Sequence, residues 1–272
     1  MRKTNNRHHA SPPKNQSGVW DDSFIGETTA EQIIDAFYRP VGPHQRWGNA
    51  RIKRCLPLIN PKPGELILDL ACGFGTFTYL CAQYGAKTVG LDLSESCLKT
   101  AAEACARFRL EGSYHFIFGD VGKLPFADAA FDKLISIDGF EHFTWKQKQA
   151  LVNEAHRVLK PGGIFTVYTP NLLTKATKVL RHNLINLALG RLDRLVSTSA
   201  YLAEKEPTHI GMVSPFRLRR LFMPDKFDLE LRYNISHGRK KKTAWRTLTQ
   251  EKLPILRDIL NGRIALTAIK MG

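Results

Sequence analysis

The chain has 272 residues, 43% of them hydrophobic, which is enough for one full core with a small appended region. Its aliphatic runs fall short of the roughly 18–20 apolar residues that cross a bilayer. Its five cysteines show no CxxC pair, which favours reduced thiols over disulfides or a cysteine metal site. The net charge is +15, and residues 172–272 hold 20 Lys+Arg against 8 Asp+Glu, so the last third suits an anionic partner or surface.

In chain order, MRKTNNRHHASPPKNQSG has no apolar segment behind its charges and reads as neither secretory signal nor anchor. Residues 1–19 are expected to be a disordered basic tail, and residues 20–63 an N-terminal helical cap. Without a targeting segment, and with reduced thiols, a cytoplasmic location is expected. From residue 64 strands and helices alternate. ELILDL is a buried strand, followed by the turn ACGFG and a helix through TFTYLCAQYG. KTVGLDL is a second strand, with Ser94 capping the helix ESCLKTAAEACARFRL. YHFIFGD, FDKLISID and GIFTVYT are three more strands, and the helix KQKQALVNEAHRVL stops at the breaker Lys160-Pro161-Gly162-Gly163. This alternation implies an α/β, Rossmann-like, mostly parallel sheet with helices on both faces.

After Asn171 the rhythm changes. LLTKATKVLRHNLINLALGRLDRLV reads as one helix, with Leu173, Ala176, Leu180, Leu184 and Leu187 in a stripe, inside a helical lid insertion at about 172–206. The stripe is expected to pack over a substrate pocket. Its flanking Lys175, Lys178, Arg181, Arg191 and Arg194 are also compatible with peripheral membrane contact near 172–196. SPFRLRRLF is a short helix capped by Ser214. FDLELRYNI and IALTAIKM are late strands, separated by the basic turn HGRKKK and the helix EKLPILRDIL, which brings the sheet to seven strands.

An open α/β sheet binds ligand at the carboxyl ends of its strands. Here those ends read Asp69, Asp92, Asp120, Asp138 and Thr169-Pro170. Four acids around one crevice would repel a pyrophosphate, and Thr78 replaces the third glycine of GxGxxG, which argues against a dinucleotide. A nucleoside with a cationic appendage fits better. Asp92 is placed to accept from ribose hydroxyls and Asp120 from an adenine amine.

DLACGFG, LDLSESCL, GDVGKLPFADAAFD, SIDGFEHF and HRVLKPGGIFTVYTPN, in this order, resemble the motifs of the class I S-adenosylmethionine-dependent methyltransferases, in particular the quinone and small-molecule group. The resemblance covers Leu66 to Asn171 and implies S-adenosylmethionine as cofactor. It implies Asp69, Ala71, Gly73 and Gly75 near the methionyl part, with Ala71 where glycine is more frequent. It also implies Asp92 and Leu93 at the ribose, Asp120 and Val121 at the adenine, and Ile137 and Asp138 beside the transferable methyl.

Transfer from a sulfonium needs alignment and, for a hydroxyl acceptor, removal of a proton. His142 is the expected base, with Glu141 and Asp138 beside it. An alternative leaves Glu141-His142 as a helix cap. His209, in EPTHIG, faces the pocket in the same resemblance or is an ordinary loop histidine. No ligand spacing supports a metal held by Glu141, His142 and His209, so none is expected. Asp138-Gly139-Phe140-Glu141 is not the (Asp/Asn)-Pro-Pro-aromatic box of base-amine methyltransferases, which argues against nucleic acid. The expected reaction is O-methylation of a small, amphipathic or lipid-like acceptor. C- or N-methylation, a nucleic-acid substrate, and a non-catalytic cofactor-binding partner protein are the alternatives.

Overall fold

The computed structural model describes residues 29–34, 38, 46–233 and 262–272. The expected tail, the turn HGRKKK and the helix EKLPILRDIL lie outside the described residues. Among the described residues, two helices precede the sheet: α1 (Ala30–Ile33), with a Thr29–Gln32 capping box, and α2 (Arg46–Ile59). Then come β1 (Leu66–Leu70), α3 (Thr76–Gln83), β2 (Lys87–Asp92), α4 (Glu95–Cys105), β3 (Ser113–Phe118), β4 (Phe131–Ile137), α5 (Trp145–Val158) and β5 (Leu159–Pro170). The remainder is α6 (Leu172–Ala188), α7 (Thr198–Lys205), α8 (Pro215–Leu221), β6 (Phe227–Tyr233) and β7 (Arg263–Lys270).

The seven strands lie in the order β3-β2-β1-β4-β5-β7-β6, and β7 alone runs against the others. The expected mostly parallel sheet is therefore present. Chain order reverses between β1 and β4, the place where an open α/β sheet leaves a crevice. The sheet is apolar on both faces because helices cover both. Ile67, Phe77, Ile135, Ile137 and Tyr168 form the core on one side. Leu68, Leu70, Leu91, Leu134 and Phe165 form it on the other. Successive residues of β1 point to opposite faces, so a buried two-sided strand reads as a continuous apolar run.

Two boundaries differ from expectation. Helix α5 stops at Val158, but β5 begins at once and passes through Lys160-Pro161-Gly162-Gly163. Its pairing with β4 shifts register between Phe131 and Lys133, and Gly162 takes φ +74°. The glycine pair therefore makes an irregularity within a strand rather than a loop before one. The long helix after Asn171 is likewise broken: α6 ends at Ala188, Gly190 takes φ +68°, and α7 starts at Thr198.

The leucine stripe does not pack inward. Leu180, Leu184 and Leu187 are exposed, whereas Val179 and Asn186 are buried. Asn183 donates to the Val196 carbonyl at 2.7 Å and accepts from the Val196 amide at 3.1 Å. These amide bonds tie the returning segment to α6, so polar groups hold the inner side and apolar groups face out.

Candidate active site

The turn from β1 to α3 is strained in a way that opens it. Ala71, Gly73 and Gly75 all have positive φ, at 55°, 52° and 69°. A Cβ on Gly75 would lie 2.7 Å from the Phe116 ring, so that position needs glycine for close packing as well as for φ. A Cβ on Gly73 would meet nothing within 4 Å, so the backbone there faces open space. Tyr38 braces the turn from the N-terminal segment. Its hydroxyl donates to the Phe74 carbonyl at 2.6 Å, and its ring stacks on Tyr79 at 4.3 Å.

Asp92, at the end of β2, spans the crevice. Its Oδ2 accepts from the Gly73 amide at 2.8 Å and its Oδ1 from the Ser94 amide at 3.0 Å. Burial raises its pKa, and the bonds to backbone amides oppose that. Leu93 beside it is half-buried. Asp69 is more deeply placed. Its Oδ2 accepts from the Thr78 amide at 3.0 Å and hydroxyl at 2.9 Å. Thr78, which breaks the dinucleotide pattern, is thus the residue that pins Asp69 to the first turn of α3. Burial pushes the Asp69 carboxyl up to about 7, and the Asp92 charge adds to the rise. The two acids stand close enough at this end of the crevice for the charge of one to disfavour ionisation of the other. Asp120 is exposed and accepts from the Gly122 amide at 2.8 Å, while the adjacent Val121 is buried.

The turn after β4 forms the opposite wall. Asp138 has φ 57°, and its carboxylate is held by Arg263 of β7 and, at 3.8 Å, by Arg51 of α2. Two guanidinium groups on one carboxylate make Asp138 an anchor between distant elements. Ile137, next to it, is buried. Gly139 lies so close to the β1 turn that a Cβ on it would stand 2.7 Å from the Ala71 Cβ and 3.3 Å from Ser136 Oγ. The two turns that line the crevice are thus in contact. Among the described residues, Ser136 Oγ is a buried oxygen without a hydrogen-bond partner.

Glu141 is fully buried and accepts from the Thr169 hydroxyl at 3.1 Å. Burial, then the Asp138 charge, pushes its carboxyl up to about 7. His142 donates its Nδ1–H to the Thr208 carbonyl at 2.9 Å. Burial lowers His142 to about 4, so the ring is neutral at pH 7. His209 stands beside it, ring centroids 5.1 Å apart, with Nδ1 2.8 Å from Glu206 Oε2. Burial also lowers His209 to about 4.

The structure therefore brings Glu141, His142 and His209 together. Sequence reasoning missed Arg51, Arg263 and Lys148. Lys148 is completely buried, bonds the Phe143 carbonyl, and lies 5.0 Å from the Phe140 ring centre. Helical spacing puts it on the buried stripe of α5 with Leu151, Val152 and Ala155, but its charge hid that place from a hydrophobic pattern.

Residues 67–163 match the family model described as a methyltransferase domain. A probable S-adenosylmethionine-dependent methyltransferase of Mycolicibacterium smegmatis is 29% identical over 62% of this chain and 69% of its own length. The O-methyltransferase cnsE of Penicillium expansum is 32% identical over 53% of this chain, which spans about half (47%) of that relative. Among solved structures, phosphoethanolamine N-methyltransferase 2 of Haemonchus contortus, in complex with S-adenosyl-L-methionine, superposes with a TM-score of 0.59. The match is at 18% identity and covers 92% of this chain and 60% of that one.

Proposed function

We propose that this chain, which belongs to the class I S-adenosylmethionine-dependent methyltransferases, transfers a methyl group to a hydroxyl oxygen of a small amphipathic acceptor. The observation that carries the oxygen assignment is the pair of neutral imidazoles beside buried Glu141 at the rim of the cofactor crevice. An acceptor oxygen must lose a proton, and this cluster gathers two imidazoles and a carboxylate as candidate acceptors for it. A relative named as an O-methyltransferase is compatible with that reading, as relatives named as sterol and quinone C-methyltransferases are with transfer to carbon.

The crevice fits the cofactor by its donor set. Open backbone at Gly73 and the carboxyl oxygens of Asp69 and Asp92 suit a ligand with hydroxyl and ammonium donors. In this reading Asp92 and Leu93 hold the ribose, and Asp120 with Val121 borders the adenine. Asp69, Ala71, Gly73 and Gly75 shape the wall at the methionyl part. Ile137 borders the methyl, and Asp138 positions that wall through Arg51 and Arg263. The cofactor supplies an activated methyl: the acceptor oxygen's lone pair forms the O–C bond as the C–S bond breaks onto sulfur. His142, fixed by its bond to the Thr208 carbonyl, takes part in activating the acceptor, with Glu141 beside it.

The acceptor is drawn from an anionic membrane surface by the exposed leucines and cations of α6. Among the described residues no helix is long and apolar enough to cross a membrane, so contact of this kind would be peripheral. Calorimetry with S-adenosylmethionine tests the cofactor step. Turnover of hydroxyl-bearing acceptors, and of amine analogues, tests the atom. His142→Ala is expected to depress turnover at least about a hundredfold with cofactor affinity near normal. Unchanged turnover, or turnover confined to amines, would defeat the assignment.

A further inference from the structure

We propose that Glu141, His142 and His209 bind one divalent transition-metal ion of the zinc class, and that this ion takes the acceptor oxygen. The inference rests on the hydroxyl-acceptor reading above and gives that same site its means of activation. The side chains come from the turn after β4 and from the loop before α8, and their three ligand atoms all lie within 4.8 Å of one another. Ligand bonds of about 2.0–2.2 Å require the atoms to draw in by roughly an ångström. Two imidazoles and one carboxylate form a donor set that leaves a coordination position open.

The surroundings of the rings are the second observation. A ligating imidazole generally donates its other N–H to a carbonyl or carboxylate, which fixes its tautomer and aims the remaining nitrogen. His142 makes such a bond to the Thr208 carbonyl, and His209 makes one to Glu206. Glu206 is itself held by Lys175 from α6. The carboxylate is oriented too, through the Thr169 hydroxyl. Asp138 is committed to Arg263 and Arg51, which leaves Glu141 as the buried acid of the cluster. Phe140 and Phe143, the chain neighbours of Glu141 and His142, are buried.

A hydroxyl bound to such an ion ionises near neutral pH, as zinc-bound water does at about 7. Its proton leaves to solvent. The oxygen then forms the O–C bond, and the C–S bond breaks with its electron pair kept by sulfur. With the ion in place, His142 is a ligand and the proton's destination lies elsewhere.

The test uses the full chain and Co2+ as probe, read by its visible d–d absorption. One saturable band at one equivalent, displaced by Zn2+, is expected. His209→Ala and the isosteric Glu141→Gln should each weaken Co2+ binding at least about tenfold. The double substitution His8→Ala, His9→Ala controls for the N-terminal pair and should leave the band unchanged. Absence of a saturable band, or a band that survives in both site variants, overturns the site. Titration of the same samples with S-adenosylmethionine separates the two readings. Intact cofactor binding without the Co2+ band rejects the metal alone, and loss of cofactor binding in the unaltered chain rejects the methyl-transfer reading.

Discussion

At the scale of single residues, two kinds of polar group behave differently. Asp92 serves the fold and the ligand together, because its two oxygens already hold the Gly73 and Ser94 amides. Asp92→Ala should abolish measurable cofactor binding, with about 1.5–3 kcal/mol lost per charge-assisted hydrogen bond. Calorimetry checks this, and the circular dichroism of the variant shows whether the sheet persists. The histidines make a pH prediction for the metal-free chain. His142 and His209 are lowered to about 4 by burial, against about 6.5 in the unfolded chain. Each contributes stability that is present above about pH 6.5 and lost as pH falls through about 4. Asp69 and Glu141, raised to about 7 by burial, act in the opposite sense. Their contribution is present below the unfolded carboxylate range and lost as pH rises through 7. The two pairs oppose each other, so the melting temperature of the chain should vary little between about pH 4.5 and 7. His209→Gln removes one member of the histidine pair. The variant should gain stability relative to the parent as pH falls through that window, by on the order of 2–3 kcal/mol at most. A variant-minus-parent melting-temperature difference that falls on acidification would contradict the assignment.

At the scale of elements, the crevice depends on contact between two turns. Gly139 has φ −112°, which any residue can adopt, so its requirement is spatial. Gly139→Ala places a methyl 2.7 Å from the Ala71 Cβ, and the turns must separate. Overpacking of this kind costs about 1–3 kcal/mol. The expected result is a lower denaturation midpoint together with weaker cofactor binding, read by urea unfolding and calorimetry. A drop in stability with cofactor affinity unchanged would show that the contact does not shape the crevice. The strands and the acids at their ends were legible in the sequence because local rules govern them. Apolar runs such as LILDL, glycine turns, and caps at Ser94 and Ser214 each act within a few residues. The partners of those acids were not legible. Arg263 reaches Asp138 across β5, and His209 reaches His142 through a loop whose path no periodicity encodes. The stripe on α6 shows the same limit. Apolar periodicity identified a face, but which face turns inward was decided by Asn183 binding the segment that follows.

At the scale of the whole molecule, charge and apolar exposure coincide. Most of the +15 net charge falls after residue 171, and there α6 with the segment after it exposes Leu180, Leu184, Leu187, Leu189 and Leu192. Lys178, Arg181, Arg191 and Arg194 are exposed along the same stretch. Each cation near an anionic bilayer is worth about 1 kcal/mol, and the leucines add apolar burial at roughly 25 cal/mol per Å². Neither contribution alone gives lasting attachment, but together they should give reversible binding. The chain should therefore cosediment with vesicles containing phosphatidylglycerol and remain in the supernatant with phosphatidylcholine alone. Raising salt from about 0.1 M to 1 M shortens the screening length from about 10 Å to 3 Å, so most of the bound fraction should be released. The apolar contribution is tested separately by Leu184→Ser with Leu187→Ser, a pair of exposed positions whose loss leaves the crevice intact. That variant should bind vesicles more weakly at low salt and keep its cofactor affinity. Equal binding to neutral and anionic vesicles, or salt-insensitive binding, would mean that the basic surface of α6 faces something other than a charged membrane.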